Sequence, residues 1–388
     1  MTATGAAMAD NTLVLNSLRL RSDGELRREM PLPPARQHKN YSADFDALTV
    51  FYDCFYDDRL KQVVIVCPRL LNLWPIIRKG LTLDNQRICK NVRRKKYLRL
   101  EILRISVPAR PKTVGLHAGG EYYSASIGNQ TCELFAGRNC LIAISKNNPL
   151  EWIVDWARYH ASAHGADAVI LFDNGSSIYS ADEVQARITA IPGIASCRVV
   201  SAPFPYGPHS GIRGRFGPVI PTKFLQASLF NVAQLRFLAT ARAVLSVDID
   251  ELVWPIKDGS IFDAAVDSRF GMVSFFGRWV YPAAPSDKVR HESHQCRNRN
   301  DKRGASPKWC VTPRGIAGRF SWATHRPGGA FYPFTISWKL GFWHFFSCST
   351  NWKFDRSKPV DNLVRSNELV SVLARHLGKP NQGFVLNS

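Results

Sequence analysis

The sequence contains no Cys-x-x-Cys pair, no internal repeat, no low-complexity tract and no apolar run long enough to span a bilayer. Each absence removes a class of protein. The nine cysteines (54, 67, 89, 132, 140, 197, 296, 310 and 348) are scattered and odd in number, which argues against a disulfide framework and a structural zinc site. They fit a reducing cytosol. A membrane-spanning helix needs about 20 consecutive apolar residues, and Met1–Asn11 lacks a signal-peptide core. The expected location is therefore the cytoplasm. Acidic residues are also in deficit: 31 Asp and Glu against 51 Lys and Arg leave a formal charge of +20. The basic residues concentrate in Arg19–Arg36, Arg87–Arg104 and Arg290–Arg319, and none of these carries a helix-turn-helix, zinc-finger or RNA-recognition signature. No nucleic acid partner is expected. Peripheral contact with an anionic membrane, made by charge, is the preferred account of the excess.

What remains is ordinary globular composition, 45% hydrophobic and 21% charged, and 388 residues suffice for two domains. Residues 1–44, rich in arginine and broken by Pro31, Pro33 and Pro34, read as a mobile basic tail with a short helix near Gly24–Arg28. Residues 45–136 read as a β-rich, sandwich-like domain with strands near Thr49–Phe55, Gln62–Cys67, Tyr97–Val107, Thr113–Leu116 and Tyr122–Ile127. From 137 to 388 strand and helix patterns alternate. Strands are expected at Cys140–Ser145, Ala168–Phe172, Arg198–Ala202 and Val244–Asp248, and helices at Leu150–Ala163, Ala181–Ile191 and Thr222–Arg242. Alternation of this kind implies a parallel sheet covered by helices, with ligands at the carboxyl ends of its strands. Lys146–Asn148, Asp173–Ser177 and Asp248–Glu251 would then share one edge. A strand is expected over Met272–Trp279, a long basic loop over Ser286–Pro307 and a closing helix over Asp361–Leu377.

The acidic run Asp248-Ile249-Asp250-Glu251 follows the apolar Val244–Val247. On a continuous strand Asp248 and Asp250 would share a face, with Ile249 buried behind them and Glu251 turned away. Paired carboxylates suit a hard divalent cation. A strand that merely ends in a solvated acidic turn is the alternative.

Several short motifs in order carry a resemblance. Ser145-Lys146-Asn147-Asn148-Pro149-Leu150-Glu151-Trp152, then Tyr159-His160, Gly165 and Phe172-Asp173-Asn174-Gly175-Ser176-Ser177, resemble the opening of glycosyltransferase family 92 and its bacterial family-2-like relatives. Ser246–Leu252 is similar to the family's Asp-x-Asp-Glu-Phe motif, and Pro313-Arg314, His325, His344-Phe345, Ser349 and Trp352 resemble its C-terminal blocks. The resemblance covers roughly residues 139–358. Two positions depart from it: Asn148 stands where glutamate is usual, and Ile178 where the loop usually ends in aspartate.

The resemblance implies an α/β fold of the GT-A type, Rossmann-like, following the β-rich domain. It implies an inverting transfer of a hexose from a nucleotide-sugar donor, a UDP-sugar, to a glycan or glycolipid acceptor. Mn2+ or Mg2+ would be held by Asp248 and Asp250 with a histidine, His344 or His325. Lys146, Asn147, Asp173, Asn174, Gly175, Asp248 and Arg278 are the expected donor-binding residues, with Arg290 and Lys308 as further pyrophosphate candidates. Asp250 and Glu292 are the expected catalytic residues, Glu292 as the base that inversion requires. Two other readings stand beside it: a basic nucleic-acid-binding protein, supported by the charge and the basic clusters, and a metal-dependent phosphohydrolase using the same carboxylates.

Overall fold

The apolar runs between 139 and 246 form strands buried on both faces, as near-continuous hydrophobic sequence requires. The computed structural model describes residues 13–88, 92–208, 222–283, 289–300, 304–350 and 360–378. Strands β1 (Asn139–Ser145), β2 (Ala168–Asp173), β3 (Ser196–Ser201) and β4 (Ala243–Ser246) run parallel, in the spatial order β3-β2-β1-β4. The chain thus steps outward from β1 to β3, then returns to the other side of β1. That reversal opens a crevice between the carboxyl ends of β1 and β4.

Beyond β4 the sheet turns antiparallel. Strand β5 (Glu251–Val253) pairs with β8 (Ile336–Phe345), while β6 (Met272–Pro282) lies between β7 (Gly304–Val311) and His294–Asn298 and also pairs with β8. The helices between the parallel strands are α1 (Leu150–His164), α2 (Ala181–Thr189) and α3 (Leu225–Val232), the last continuing as a π-helical turn to Phe237. Helix α1 stops at Gly165, which takes the left-handed conformation (φ 68°) that closes the helix; Ser180 caps α2 through the Glu183 amide. Alternate residues of the parallel strands serve two cores. Leu141, Val169 and Leu245 face α1, α2, α4 (Ile261–Val266) and α5 (Asn367–Leu377). Ile142, Ile170 and Val244 face α3 and the N-terminal β-rich segment.

That segment holds a five-stranded sheet, a four-stranded sheet and the two-stranded pair Leu18–Arg19 and Thr49–Phe51, which share a core of residues such as Phe51, Ile65, Leu103, Leu81 and Leu116. Its other face, with Tyr52, Phe55, Val64 and Ile102, packs directly on the core around Phe172 and Phe224. A buried ion pair crosses this contact: Arg236 Nη1 lies 2.8 and 2.9 Å from the Asp53 carboxylate oxygens.

Three expectations need correction. Residues 13–44 are not a mobile tail: Leu15, Leu18 and Leu20 are buried, and Leu13–Val14 adds a parallel strand beside β3. Arg28 is also buried, its guanidinium donating to the carbonyls of Arg69, Asp46 and Thr49, and no helix forms at Gly24–Arg28. Proline and arginine lowered the apparent order of a segment whose leucines pack. Residues 1–12, and Trp352 of the C-terminal blocks, lie outside the described residues. The basic stretch 286–307 is not a single loop, since it contributes the strand His294–Asn298 and the start of β7. The strand leading to the acidic run ends at Ser246, so Asp248 and Asp250 stand in a turn.

Candidate active site

The turn after β4 is tight because it bonds to itself. The Glu251 amide donates to the Asp248 carbonyl at 3.0 Å, and the Asp248 amide donates to Glu251 Oε2 at 2.8 Å. This fold-back overturns the expectation that Glu251 faces away: its side chain is buried under the turn. Ile249 is buried as expected, and His291 Nε2 lies 2.9 Å from its carbonyl.

β5 carries the turn into antiparallel register with β8, placing Glu251 opposite His344. The Phe345 amide donates to the Asp250 carbonyl at 2.8 Å, which fixes the register at the site. His344 Nε2 lies 3.0 Å from Asp250 Oδ2, and His344 Nδ1 lies 3.9 Å from Glu251 Oε1. The imidazole stacks on Trp279 of β6 with ring centroids 3.8 Å apart. Potential ligand atoms of Asp250, Glu251 and His344 all fall within 4.8 Å of one another.

Lys308, from β7, sits on the other side of the turn. Its Nζ lies 2.5 Å from Asp248 Oδ2 and 2.8 Å from Glu251 Oε2. Burial works against its charge, but the two carboxylates outweigh burial and hold the ammonium above its ordinary range. Burial likewise pushes the Glu251 carboxyl up to about 7, against the pull of Lys308. Asp248 is thus neutralised by a lysine, and the cation-binding geometry moves along the turn, to Asp250, Glu251 and His344. Asp248 also accepts from Gln226 Nε2 at 3.5 Å, and Gln226 Oε1 accepts from the Tyr206 hydroxyl at 2.8 Å.

The loops after β1 and β2 clip together at the same edge. Asn147 adopts φ 53°, its amide donates to Ser176 Oγ at 2.9 Å, and its Oδ1 accepts from the Ser177 amide at 2.8 Å. Asn174 Nδ2 donates to the carbonyls of Ala202 and Phe204, tying in the loop after β3. Gly175 has φ 73°, and a Cβ there would sit 3.3 Å from Pro203, so the glycine is required by conformation. Asp173 Oδ2 accepts from the Ser176 amide at 3.1 Å, whereas its buried Oδ1 has no hydrogen-bond partner among the described residues. A buried carboxylate oxygen left unpaired is poised for a ligand donor. Lys146 is exposed beside these loops. Asn148, the departure from the family pattern, donates to Ser145 Oγ at 2.9 Å and braces the loop.

Four expected residues fall elsewhere. Glu292 has Arg290, Asp155, Arg158 and His291 as its charged neighbours, so it belongs to the α1 side and not to the acidic turn. Arg290 is committed to Asp155, with contacts of 2.6 and 3.0 Å. Arg278 is exposed and lies over the Trp254 ring at 5.3 Å. His325 stands beside Lys308 and Asp248, not in the Asp250 cluster; its Nδ1 is 3.2 Å from the Pro307 carbonyl, and burial together with Lys308 lowers its pKa to about 4. An imidazole facing an ammonium makes a poor member of the cation set. Sequence reasoning missed Gln226, Tyr206 and Trp279, and nothing local in the sequence marks them, because strand register and helix packing alone bring them in.

The sequence matches no protein-family profile and no curated protein. Among solved structures, an active-site mutant of LgtC is 18% identical, with 36% of this chain and 46% of that chain covered at a TM-score of 0.22. S. aureus TarS is 13% identical, with 54% of this chain and 37% of that one covered at a TM-score of 0.29. The overlap spans under half the length of either. Glucosyl-3-phosphoglycerate synthase from Mycobacterium tuberculosis is 14% identical, with 65% of this chain and 85% of that one covered at a TM-score of 0.25.

Proposed function

We propose that this chain is a glycosyltransferase of the GT-A type, moving a hexose from a UDP-sugar to a glycan or glycolipid acceptor with inversion. One observation carries the reading. The acidic turn 248–251 and the Asp173 loop lie at the carboxyl edge of the two strands that flank β1, on the two sides of the point where strand order reverses. In sheets of this kind nucleotides bind in that crevice. Asp173 Oδ1 would accept a ribose hydroxyl or base N–H, and the Asn147–Ser177 clip would hold the loop to receive it.

The donor set of Asp250, Glu251 and His344 fits a divalent cation such as Mn2+ or Mg2+, since it combines carboxylate oxygens with a ring whose buried Nδ1 has no hydrogen bond among the described residues. Such a cation would neutralise the charge developing on the departing diphosphate. Lys308 keeps Asp248 and Glu251 together, and Trp279 fixes the plane of His344. Exposed Arg93, Lys95 and Lys96 on the edge strand Val92–Lys96 give the reading a cytoplasmic protein with an anionic-surface contact. No described helix is long and apolar enough to cross a membrane.

A thermal-shift panel of nucleotides and UDP-sugars, each with and without manganese, tests the proposal. UDP and manganese should raise the melting temperature together, and Asp250→Ala should abolish the joint effect while the protein stays folded. No stabilisation by any nucleotide, or equal manganese dependence in the variant, would sink it. Release of inorganic phosphate without an acceptor sugar would favour the phosphohydrolase instead.

A further inference from the structure

Strand β8 leaves register with β6 near its start. Ser274 lies opposite Ile336 and Phe276 opposite Gly341, so β6 advances two residues while β8 advances five. Residues 337–340 therefore stand out from the ladder as a bulge. Trp338 sits on it, 80% exposed, with its ring stacked on that of Phe276 at 5.3 Å and 12°. The stack braces the indole without covering it.

Just before the bulge, the turn Gly329–Thr335 holds Phe334 73% exposed, its ring centroid 6.0 Å from that of Phe270. Phe270 also meets Phe331 at 5.1 Å. The Ser274 and Thr335 hydroxyls, 3.0 Å apart, tie this turn to β6 between Phe270 and Phe276. The Ala317 amide donates to the Phe270 carbonyl at 2.9 Å, which brings in the exposed Ile316. Four residues separate Phe334 from Trp338, a reach of about 14 Å at most. They are the two most exposed large apolar side chains among the described residues. Holding such side chains in water is unfavourable, and a cluster of them marks a surface that another phase or molecule covers.

The surroundings decide what covers it. Residues 304–350 contain no Asp, Glu, Asn or Gln. Exposed cations flank the aromatics instead. Lys339 follows Trp338 on the bulge, and Arg319 ends the short turn that Ile316 begins. Arg269 lies over the Phe270 ring at 5.4 Å, and Arg326 over the Tyr332 ring at 5.8 Å. Asp267, exposed just past α4, is the carboxylate nearest in sequence to this corner. A neutral glycan needs acceptors as well as donors for its hydroxyls, and side-chain carboxylates and amides are what this stretch lacks. Indole and phenyl rings suit the boundary between head groups and acyl chains, and cations around them suit lipid phosphates.

We propose that this aromatic and basic corner docks on an anionic lipid bilayer, with Trp338 and Phe334 entering the interface and Lys339, Arg319, Arg326 and Arg269 meeting the phosphates. It goes beyond the anionic-surface contact read from the edge strand Val92–Lys96, because it names another surface, one that buries apolar side chains as well as matching charge. It rests neither on that strand nor on the reaction in the crevice.

Co-sedimentation of the full chain with phosphatidylcholine vesicles, with and without phosphatidylserine, tests this at low and high salt. Trp338→Ala should weaken binding to the anionic vesicles about tenfold or more, the share of one large apolar side chain, and that loss should persist at high salt. Arg319→Gln and Lys339→Gln should each weaken it about fivefold at low salt and by less as salt rises. Leu60→Ala, which changes an exposed leucine of the β-rich segment, should have no effect. Melting temperatures should match, because the replaced side chains are exposed; Phe334→Ala, on the neighbouring turn, carries the same test should Trp338→Ala lower its own. Equal binding by the parent, Trp338→Ala and Phe334→Ala, or no binding of the parent to anionic vesicles, would overturn the proposal. So would Trp338-dependent binding of dextran sulfate, a soluble anionic glycan, without vesicle binding. Loss on neutralising Arg93, Lys95 and Lys96 with none in Trp338→Ala would place the contact on the edge strand instead. The response to UDP and manganese should be the same in Trp338→Ala as in the parent; Trp338-dependent vesicle binding without any such response would remove the glycosyltransferase reading and leave this surface standing.

Discussion

Replacing Arg236 by methionine tests whether the β-rich segment is locked to the main sheet by charge. Arg236 extends from the π-helical turn after α3, and its side chain is 5% exposed where it meets Asp53, whose side chain is fully buried. Burial raises the Asp53 carboxyl above its ordinary range even with Arg236 present. Without the guanidinium, Asp53 keeps the Asn16 amide at 2.9 Å and loses both charged bonds. Leaving one partner of a buried pair unpaired costs about 3–5 kcal/mol. The sign with pH follows from the carboxyl. A folded-state pKa above the unfolded one means that the folded form binds more protons, so stability falls as pH rises between the two values. Arg236→Met widens that window upward, and its penalty should be larger at pH 8 than at pH 5. Urea denaturation at the two pH values measures it. Adding Asp53→Asn should recover part of the loss, because it removes the orphaned charge. A loss under about 1 kcal/mol, or a double variant no better than the single one, would refute the argument.

Other outcomes follow from the same kind of reasoning. Asp173→Ala should raise the Kd for UDP by about tenfold or more, one charged hydrogen bond being worth about 1.5–3 kcal/mol; equal affinity in calorimetry would return Asp173 to a purely structural turn. Burial lowers His160 to about 3, His164 to about 4 and His294 to about 3, so their share of stability is full above the unfolded pKa near 6.5 and drains away as pH falls towards those values. Each contributes about 1.4 kcal/mol per pH unit in that window, and Glu251, raised by burial, offsets about one histidine's share; a flat urea-unfolding profile from pH 7 to 5 would contradict this. Neutralising Arg93, Lys95 and Lys96 together should weaken binding to vesicles containing phosphatidylserine by about 1 kcal/mol per residue, with the difference shrinking as salt rises. Unchanged vesicle binding at low salt would remove the membrane surface as the reason for the basic strand.

The parallel strands were legible because burial on both faces leaves runs such as Leu141–Ile144 and Val169–Phe172 without polar interruption. The neighbouring of β1 with β2 and of β2 with β3 follows from short connections, whereas the return of β4 to the far side of β1 runs through the long segment 202–242 and had no local signal. The contents of the crevice were less legible. Two-residue periodicity put Asp248 and Asp250 on one strand face, but the strand stops at Ser246, and the Glu251 side chain folds back onto the Asp248 amide. A local hydrogen bond between an acidic side chain and the backbone three residues earlier competes with strand geometry, and here it wins.

The partners of the acidic turn lie further beyond local reasoning. Lys308 sits 60 residues away and His344 94 residues away from the carboxylates they meet. Their placement depends on β7 and β8 adopting one register each, and a shift by a single residue would turn Lys308 or His344 to the opposite face. That dependence explains why Trp279 matters: stacked on His344 and opposite it in register, it penalises such a slip on β6 and β8 together. Charge alone also misled at the N-terminus, where Arg28 is spent inside the fold on the carbonyls of Arg69, Asp46 and Thr49.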